Sequence, residues 1–246
     1  MAPEFRIVIP ARHASLRLPG KPLRDINGKP MIEWVYLAAR QTEASAVVVA
    51  TDDQRIADVV SSFGGSVCLT DAGHRSGSDR ILEVTRKLGW SEDAIVVNLQ
   101  GDEPLMPAVN ISQVAQLLAD HECDIATLHK PIDAEAARDP NLVKLVVDKH
   151  GKALYFSRSV IPFDRSGEAD RYLGHIGIYA YRVGFLEVFS QLPPAELELA
   201  ESLEQLRALA NGYLIHSAFA LANPGPGIDT EQDLVRVTEI MAKSPR

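Results

Sequence analysis

The chain has 246 residues, which is long enough for one large domain with a well-buried core. Hydrophobic residues make up 46% of it and charged residues 24%, a balance typical of a folded globular protein rather than a disordered or membrane protein. The formal net charge of -8 argues against a general attraction to nucleic acid, so any bound phosphate needs a local group of cations.

Neither the N terminus nor any apolar run indicates export or membrane insertion. Residues 1–9 enter an apolar strand without the basic region and long apolar region of a signal peptide. No uncharged apolar run approaches the roughly 20 residues that span a membrane. We therefore expect a cytoplasmic protein with no membrane partner. Cys68 and Cys123 lack the spacing of a metal or redox pair, and we expect reduced, buried thiols.

Strand-like and helix-like segments alternate in the first half, the pattern of an α/β sheet with helices on both faces. Asn27-Gly28 predicts a tight turn, and Pro30 can occupy the first position of a helix. Asp52 or Asp53 can cap the second predicted helix of this half, which ends near Phe63. The predicted strands are 5–9, 47–50, 67–70 and 94–99, and the predicted helices are 30–43, 53–63 and 79–88.

The second half is predicted to contain more hairpins. Residues 149–151 predict a turn between two paired strands, and the polar residues 163–172 predict a mobile surface loop. A Pro/Gly loop at 223–227 precedes a last helix that starts at Thr230. The predicted strands are 124–129, 142–148, 153–158, 174–181 and 213–219, and the other predicted helices are 108–119, 183–190 and 201–211. Residues 1–246 are predicted to form a single domain.

Three cations follow the first strand within one loop. Arg12, Arg17 and Lys21 are spaced by Ser15 and Gly20, so backbone N–H groups and cations could both face phosphate oxygens. The alternative is an ordinary solvated basic loop. The loop has neither the GxxxxGK[ST] spacing of a Walker A motif nor a GxGxxG sequence, which argues against a P-loop ATPase and a dinucleotide-dependent dehydrogenase.

Two carboxylates are candidates for a metal site. Asp102 directly follows an apolar strand, and open α/β sheets bind ligands just beyond the carboxyl ends of their strands. Asp229 follows a Gly- and Pro-rich stretch, where it could instead cap the last helix. Two carboxylates can link Mg²⁺ to phosphate while leaving water on the metal. Taken together, Asp102 and Asp229 favour a magnesium-assisted triphosphate site.

Six segments, in order along the chain, resemble the 3-deoxy-D-manno-octulosonate cytidylyltransferase (CMP-Kdo synthetase) family. They are residues 10–22, 76–80, 98–104, 153–158, 175–179 and 203–207. The resemblance implies a glycosyltransferase-A-like nucleotidyltransferase fold, with three layers, a mixed sheet and a smaller antiparallel portion. Residues of about 140–182 would supply that portion for homodimer formation and sugar binding. It also implies transfer of CMP from CTP to the anomeric hydroxyl of Kdo, giving CMP-Kdo and pyrophosphate for lipopolysaccharide biosynthesis.

The resemblance also implies the site residues, with Mg²⁺ as cofactor and CTP and Kdo as small-molecule partners. The catalytic residues would be Arg12, Lys21, Asp102 and Asp229, the last two as metal ligands. The nucleotide site would comprise Pro10, Ala11, Arg12, Lys21, Ser76, Gly77, Arg80, Gln100 and Gly101. The sugar site would comprise Gln100, Arg158, His175, Tyr179, Glu204 and Gln205. The hypothesis is direct in-line attack on the α-phosphorus of CTP, without a covalent enzyme intermediate.

Several sugar-site residues have plain structural alternatives. Arg158 could be a surface cation, His175 a core histidine, and Glu204 the ion-pair partner of Arg207. Gly174 stands where the resembled family commonly has a basic residue, and the loop at 165–172 is short. These departures leave an 8-amino analogue of Kdo or a sialic-type sugar as the alternative acceptor. A non-catalytic nucleotide-binding protein is the alternative from another class.

Overall fold

The structure is a computed structural model that describes residues 2–15, 17–167 and 171–243. Its strands are β1 (Phe5–Ala11), β2 (Asp25–Ile26), β3 (Lys29–Pro30), β4 (Ala46–Thr51), β5 (Val67–Leu69), β6 (Ile95–Asn98), β7 (Ile125–Ile132), β8 (Lys144–Val147), β9 (Ala153–Ser157), β10 (Tyr172–Arg182) and β11 (Ile215–Phe219). Its α-helices are α1 (Met31–Arg40), α2 (Gln54–Ser62), α3 (Gly77–Lys87), α4 (Ala108–Asp120), α5 (Val183–Gln191), α6 (Glu196–Glu201), α7 (Gln205–Ala210) and α8 (Glu231–Lys243).

A mixed sheet of nine described strands forms the centre of the molecule, in the order β11-β7-β10-β6-β1-β4-β5. Strand β10 runs antiparallel to both β6 and β7, whereas β6, β1, β4 and β5 are parallel. The hairpin β8–β9 joins this sheet through β10. The α/β class and the mixed sheet with a smaller antiparallel part are confirmed.

Strand β1 lies between two parallel neighbours and is apolar on both faces. Ile7 and Ile9 pack in one core cluster while Val8 packs in the other, and all three are fully buried. Such a strand needs helices on both sides, which explains its continuous apolar run. Because β1, β4 and β6 are parallel, the polar residues that follow them meet at one edge of the sheet.

The turn predicted at Asn27-Gly28 is confirmed, since both residues have positive φ, 51° and 85°, and link β2 to β3. The prediction that Pro30 is the first residue of the helix is wrong. Pro30 pairs with Asp25 and is extended, so α1 begins at Met31. It ends at Arg40, three residues before the predicted end.

The single helix predicted over 201–211 is wrong, because Ser202 adopts a left-handed conformation with φ 52°. The break separates α6 from α7, and Leu203 N donates to Glu198 O across it at 3.1 Å. Helix periodicity alone does not reveal this break, since serine rarely occupies the left-handed region. The break leaves Glu204 at the start of α7, close to α3.

Three other expectations can be compared with the structure. Cys68 and Cys123 are unpaired, but they are only partly buried rather than fully buried. Within the predicted loop 163–172, residues 168–170 lie outside the described residues, and Tyr172 already belongs to β10. Among the described residues, no helix is long and apolar enough to cross a membrane.

Gly174 is explained by close packing. It lies in β10, opposite β7 and β8, and a Cβ atom there would lie 2.8 Å from Ile132 Cγ2 and 3.6 Å from Leu142 Cδ1. A contact of 2.8 Å cannot be accommodated without moving Ile132. A basic side chain does not fit at position 174, because Ile132 and Leu142 occupy the space beside the backbone there.

We expect Gly174→Ala to lower the free energy of unfolding by about 1–3 kcal/mol, the usual cost of overpacking a core. Gly177→Ala is the matched control, because it lies in the same strand and its Cβ would have no atom within 4 Å. Urea denaturation measures both. Equal midpoints for the two variants would contradict the packing explanation.

Candidate active site

Three backbone segments approach one another closely beyond the ends of β1 and β6. A Cβ atom at Gly101 would lie 2.9 Å from Pro10 O, and one at Gly77 would lie 3.5 Å from Pro10 Cγ. Ser76 caps α3, since its Oγ accepts a hydrogen bond from Asp79 N at 3.2 Å. The glycines therefore allow the end of β1, the start of α3 and the end of β6 to form one surface, and the assignment of Pro10, Gly77 and Gly101 to the nucleotide site stays a prediction.

Arg12 connects this surface to the loop before α3. Its Nη2 donates to His74 O at 2.6 Å and to Ser76 O at 3.2 Å. Burial and the nearby Arg80 lower the pKa of Arg12, and the guanidinium remains charged at neutral pH. Arg12 therefore supplies a fixed positive charge beside the end of β1.

Arg80 is fully buried, and its guanidinium contacts one residue that follows β4 and one that follows β5. Its Nη2 lies 3.0 Å from Asp52 Oδ2, and Nη1 donates to Thr70 Oγ1. The helix cap left open between Asp52 and Asp53 is Asp53, whose side chain accepts from Arg55 N at 3.0 Å. The pairing role of Asp52 was missed, although its position after β4 was a signal.

Lys21 lies between the two candidate metal ligands. Its Nζ is 2.5 Å from Asp102 Oδ2 and 2.9 Å from Asp229 Oδ1, and Arg17 is 3.1 Å from Asp229. Burial acts to lower the pKa of Lys21, but the hydrogen bonds and charges of Asp102 and Asp229 raise it overall. The two carboxylates, 81 and 208 residues from Lys21 in sequence, thus converge on one cation.

The side chain of Asp229 can pair with Lys21 because Thr230, not Asp229, caps α8. Thr230 Oγ1 accepts from Asp233 N at 3.2 Å, and Asp233 Oδ2 accepts from Asp229 N and Thr230 N at 3.1 and 2.9 Å. The alternative in which Asp229 caps the helix is therefore wrong. Ile228 N also donates to Asp102 O at 3.0 Å, which fixes the two acidic segments side by side.

Glu103 is a further acidic residue at this edge that the sequence reasoning missed. Burial, reinforced by the charge of Asp102, raises the pKa of Glu103 to about 8. A Cβ atom at Gly227 would lie 2.9 Å from Glu103 Oε1, so this loop packs directly on the carboxyl group. At neutral pH Glu103 is mostly protonated and adds little negative charge beside Asp102.

A pocket of about 470 Å³ opens beside the charged edge, between β6, β10 and α7. Four predicted sugar-site residues are among those that line it: Gln100, Tyr179, Glu204 and Gln205. Gln100 Nε2 donates to Asn98 Oδ1 at 3.0 Å, and Ser78 Oγ donates to Glu204 Oε2 at 2.9 Å. Glu204 Oε1 is buried without a hydrogen bond among the described residues, and burial raises the pKa of Glu204.

Arg158 is not among the residues that line this pocket. Its guanidinium donates to Glu201 O at 2.7 Å, Pro140 O at 3.0 Å and Ser202 O at 3.4 Å. These bonds tie the end of β9 to the break between α6 and α7. Its assignment to the sugar site stays a prediction. Arg207 pairs with Glu198 at 2.5 Å and is 3.6 Å from Glu204.

His175 lies on β10 beside Tyr179, with the two ring centroids 5.4 Å apart. Its Nε2 is 2.9 Å from Thr127 Oγ1, and its ring meets Phe156 edge-on at 5.1 Å. Burial, with a smaller contribution from His129, lowers the pKa of His175 to about 3, so the ring is neutral at physiological pH. His175 is therefore an uncharged polar group that packs against Tyr179, a pocket residue, and is not itself among the residues that line the pocket.

Known proteins are similar to this chain over nearly their whole length. The family model for cytidylyltransferase matches residues 6–216. The 3-deoxy-manno-octulosonate cytidylyltransferase of Haemophilus influenzae (strain PittEE) is 50% identical over 251 residues, covering 97% of this chain and 99% of the relative. The protein of the same name from Aliivibrio fischeri (strain MJ11) is 52% identical over 247 residues, with the same coverage.

This chain belongs to the 3-deoxy-manno-octulosonate cytidylyltransferase family. A solved structure of CMP:2-keto-3-deoxy-manno-octonic acid synthetase complexed with CTP is 46% identical, covers 98% of this chain and 99% of its own, and superposes with a TM-score of 0.93. The predicted family and the nucleotidyltransferase fold are both confirmed. The sheet edge beyond the ends of β1 and β6 and the pocket beside it are thus the candidate active site of a cytidylyltransferase.

We expect Asp52→Ala to destabilise this cytidylyltransferase by about 3 kcal/mol, because it leaves the buried Arg80 guanidinium without its compensating charge. Asp58→Ala, at an exposed position on the neighbouring helix α2, is the control and should change stability by less than about 0.5 kcal/mol. Urea denaturation gives both values. A loss at Asp52 no larger than that at Asp58 would show that Arg80 does not need its carboxylate partner.

Proposed function

We propose that this cytidylyltransferase transfers CMP from CTP to 3-deoxy-D-manno-octulosonate (Kdo), giving CMP-Kdo and pyrophosphate. The supporting observation is the convergence of Lys21, Asp102 and Asp229 at the sheet edge, next to a polar pocket. The relatives that share this architecture at about 50% identity carry the name of this activity. Lipopolysaccharide biosynthesis in the cytoplasm is the accompanying proposal.

The reaction needs no nucleophilic side chain. The anomeric hydroxyl of the sugar attacks the α-phosphorus of CTP and releases its proton to solvent, the new P–O bond forms as the bond to the β-phosphate oxygen breaks, and pyrophosphate leaves with that electron pair. Transfer of this type depends on positioning and on neutralising charge at the phosphates. Arg12, Arg17 and Lys21 are the cations placed to do so at the end of β1.

Asp102 and Asp229 fit a magnesium ion, because their oxygens already converge on one cationic atom. Mg²⁺ prefers oxygen ligands and is commonly held by one or two carboxylates together with phosphate and water. Among the described residues, no group of three or more His, Cys, Asp or Glu side chains could hold a metal ion. When bound, Mg²⁺ would supply further neutralisation of the triphosphate charge.

The pocket beside this edge is the proposed sugar site. Gln100, Tyr179, Glu204 and Gln205 give it hydrogen-bonding groups, and His175 packs against Tyr179. Residues of about 140–182 are proposed to contribute a homodimer surface, because three large apolar side chains there are exposed: Phe163 at 87%, Leu154 at 57% and Val160 at 36%.

Pyrophosphate release from a panel of nucleoside triphosphates and acid sugars tests base and sugar selection together. We expect turnover with CTP and Kdo to exceed that with the other triphosphates, with an 8-amino analogue of Kdo and with a sialic-type sugar. A strong preference for one of those sugars would overturn the acceptor assignment. Tight CTP binding without any product would favour the non-catalytic alternative.

We expect Asp102→Asn to lower kcat by at least about 10²-fold, because it removes one of the two carboxylates that would hold the metal. Asp58→Asn, on the exposed face of α2, should keep full activity. Binding of Mn²⁺ with CTP, followed by water proton relaxation, should weaken only in the Asp102 variant. Near-wild-type pyrophosphate release from Asp102→Asn would refute the metal assignment.

A further inference from the structure

Thr127 makes an unusual set of contacts with strand β10. It is fully buried on β7, where the pairing with β10 shifts register between Ile176 and Tyr179. Its Oγ1 lies 2.8 Å from Ile178 O, 3.3 Å from Ile176 O and 2.9 Å from His175 Nε2. One hydroxyl oxygen thus faces two backbone carbonyl oxygens and one ring nitrogen.

A threonine hydroxyl has a single hydrogen, so these contacts restrict the protonation of the ring. If that hydrogen pointed to His175 Nε2, the lone pairs of Oγ1 would face the oxygens of Ile176 and Ile178 at close range. If it points to Ile178 O instead, Oγ1 is free to accept a hydrogen bond from Nε2–H. The first arrangement leaves both carbonyl contacts without a hydrogen, whereas the second leaves only the longer contact, 3.3 Å to Ile176 O, without one of its own.

The other ring nitrogen of His175 is open to a ligand. Since the pKa of His175 is lowered to about 3 by burial, the ring carries one proton at physiological pH. With that proton on Nε2, Nδ1 is an acceptor. Among the described residues Nδ1 has no hydrogen-bond partner, and it is not among the fully enclosed polar atoms. The rings of Phe156 and Tyr179 pack against His175 and restrict its rotation.

We infer that Thr127 is a positioning residue that fixes His175 in the Nε2-protonated tautomer, so that Nδ1 accepts a hydrogen bond from a hydroxyl group of the acceptor sugar. The part that concerns the sugar rests on the proposed function. His175 then recognises a hydroxyl donor and neither pairs with the sugar's carboxylate nor donates a proton in the transfer. A neutral ring in this state complements a polyhydroxylated substrate.

Nitrogen NMR of the free protein tests the tautomer without CTP, sugar or metal. Two-bond ¹H–¹⁵N spectra distinguish a protonated from an unprotonated ring nitrogen, and His175→Gln identifies the signals by their loss. We expect Nε2–H in the wild type and in Thr127→Ser, which keeps the hydroxyl. Thr127→Val, of nearly the same shape, should lose this preference. Nδ1–H in the wild type, or unchanged Nε2–H in Thr127→Val, would overturn the inference.

Steady-state kinetics tests the contact with the sugar. Thr127→Val should raise KM for Kdo about tenfold, the scale of one weakened hydrogen bond, while KM for CTP stays within about twofold. Thr127→Ser should restore both values. Equal increases in the two KM values, or no rescue by serine, would refute a specific role toward the sugar. Absence of wild-type turnover with Kdo would refute the proposed function instead, and the NMR result would still decide the tautomer.

Discussion

The ammonium group of Lys21 allows two carboxylates from distant parts of the chain to share one edge of the sheet. Its Nζ lies within 3 Å of both Asp102, after β6, and Asp229, before α8. Without a cation, two such charges about 4 Å apart would repel by about 1–4 kcal/mol, depending on screening by water. The bidentate pair of Arg24 with Glu231 adds a second link from the same loop to α8. The position of the last helix therefore depends on the cationic loop.

The sequence predicts this part of the site because it depends on local rules. Apolar runs locate the parallel strands, and the residues that follow such strands must meet at one edge of the sheet. That argument places Asp102 near the cations of the first loop without knowledge of their contacts. The sequence leaves two roles open for Asp229, metal ligand and helix cap, since an aspartate before a helix is a common cap. The structure shows that Thr230 rather than Asp229 caps α8, because the Thr230 hydroxyl accepts the hydrogen bond from Asp233 N.

The side-chain contacts that the sequence does not predict join residues that are distant along the chain. Arg80 and Asp52 are 28 residues apart, and Thr127 and His175 are 48 residues apart, so no helix or strand period relates them. Buried polar groups must be hydrogen-bonded, but that rule does not say to which residue. The break at Ser202 has the same origin, because tertiary contacts around α7 override the local helix pattern. Residue roles at the sugar pocket therefore came from the family resemblance rather than from local rules.

Strand β6 separates two environments with different electrostatics, and this division follows from the strand order. On its parallel side, beyond β1, lie the cations Arg12 and Lys21, and Lys21 pairs with Asp102 at the end of β6. On its antiparallel side, along β10, His175 stays neutral and burial raises the pKa of Tyr179 well above its usual value. Charge neutralisation suits a triphosphate, whereas uncharged donors and acceptors suit sugar hydroxyl groups. In the proposed in-line transfer the attacking hydroxyl and the leaving pyrophosphate lie on opposite sides of one phosphorus atom, so we expect the triphosphate on the charged side of β6 and the sugar on the neutral side.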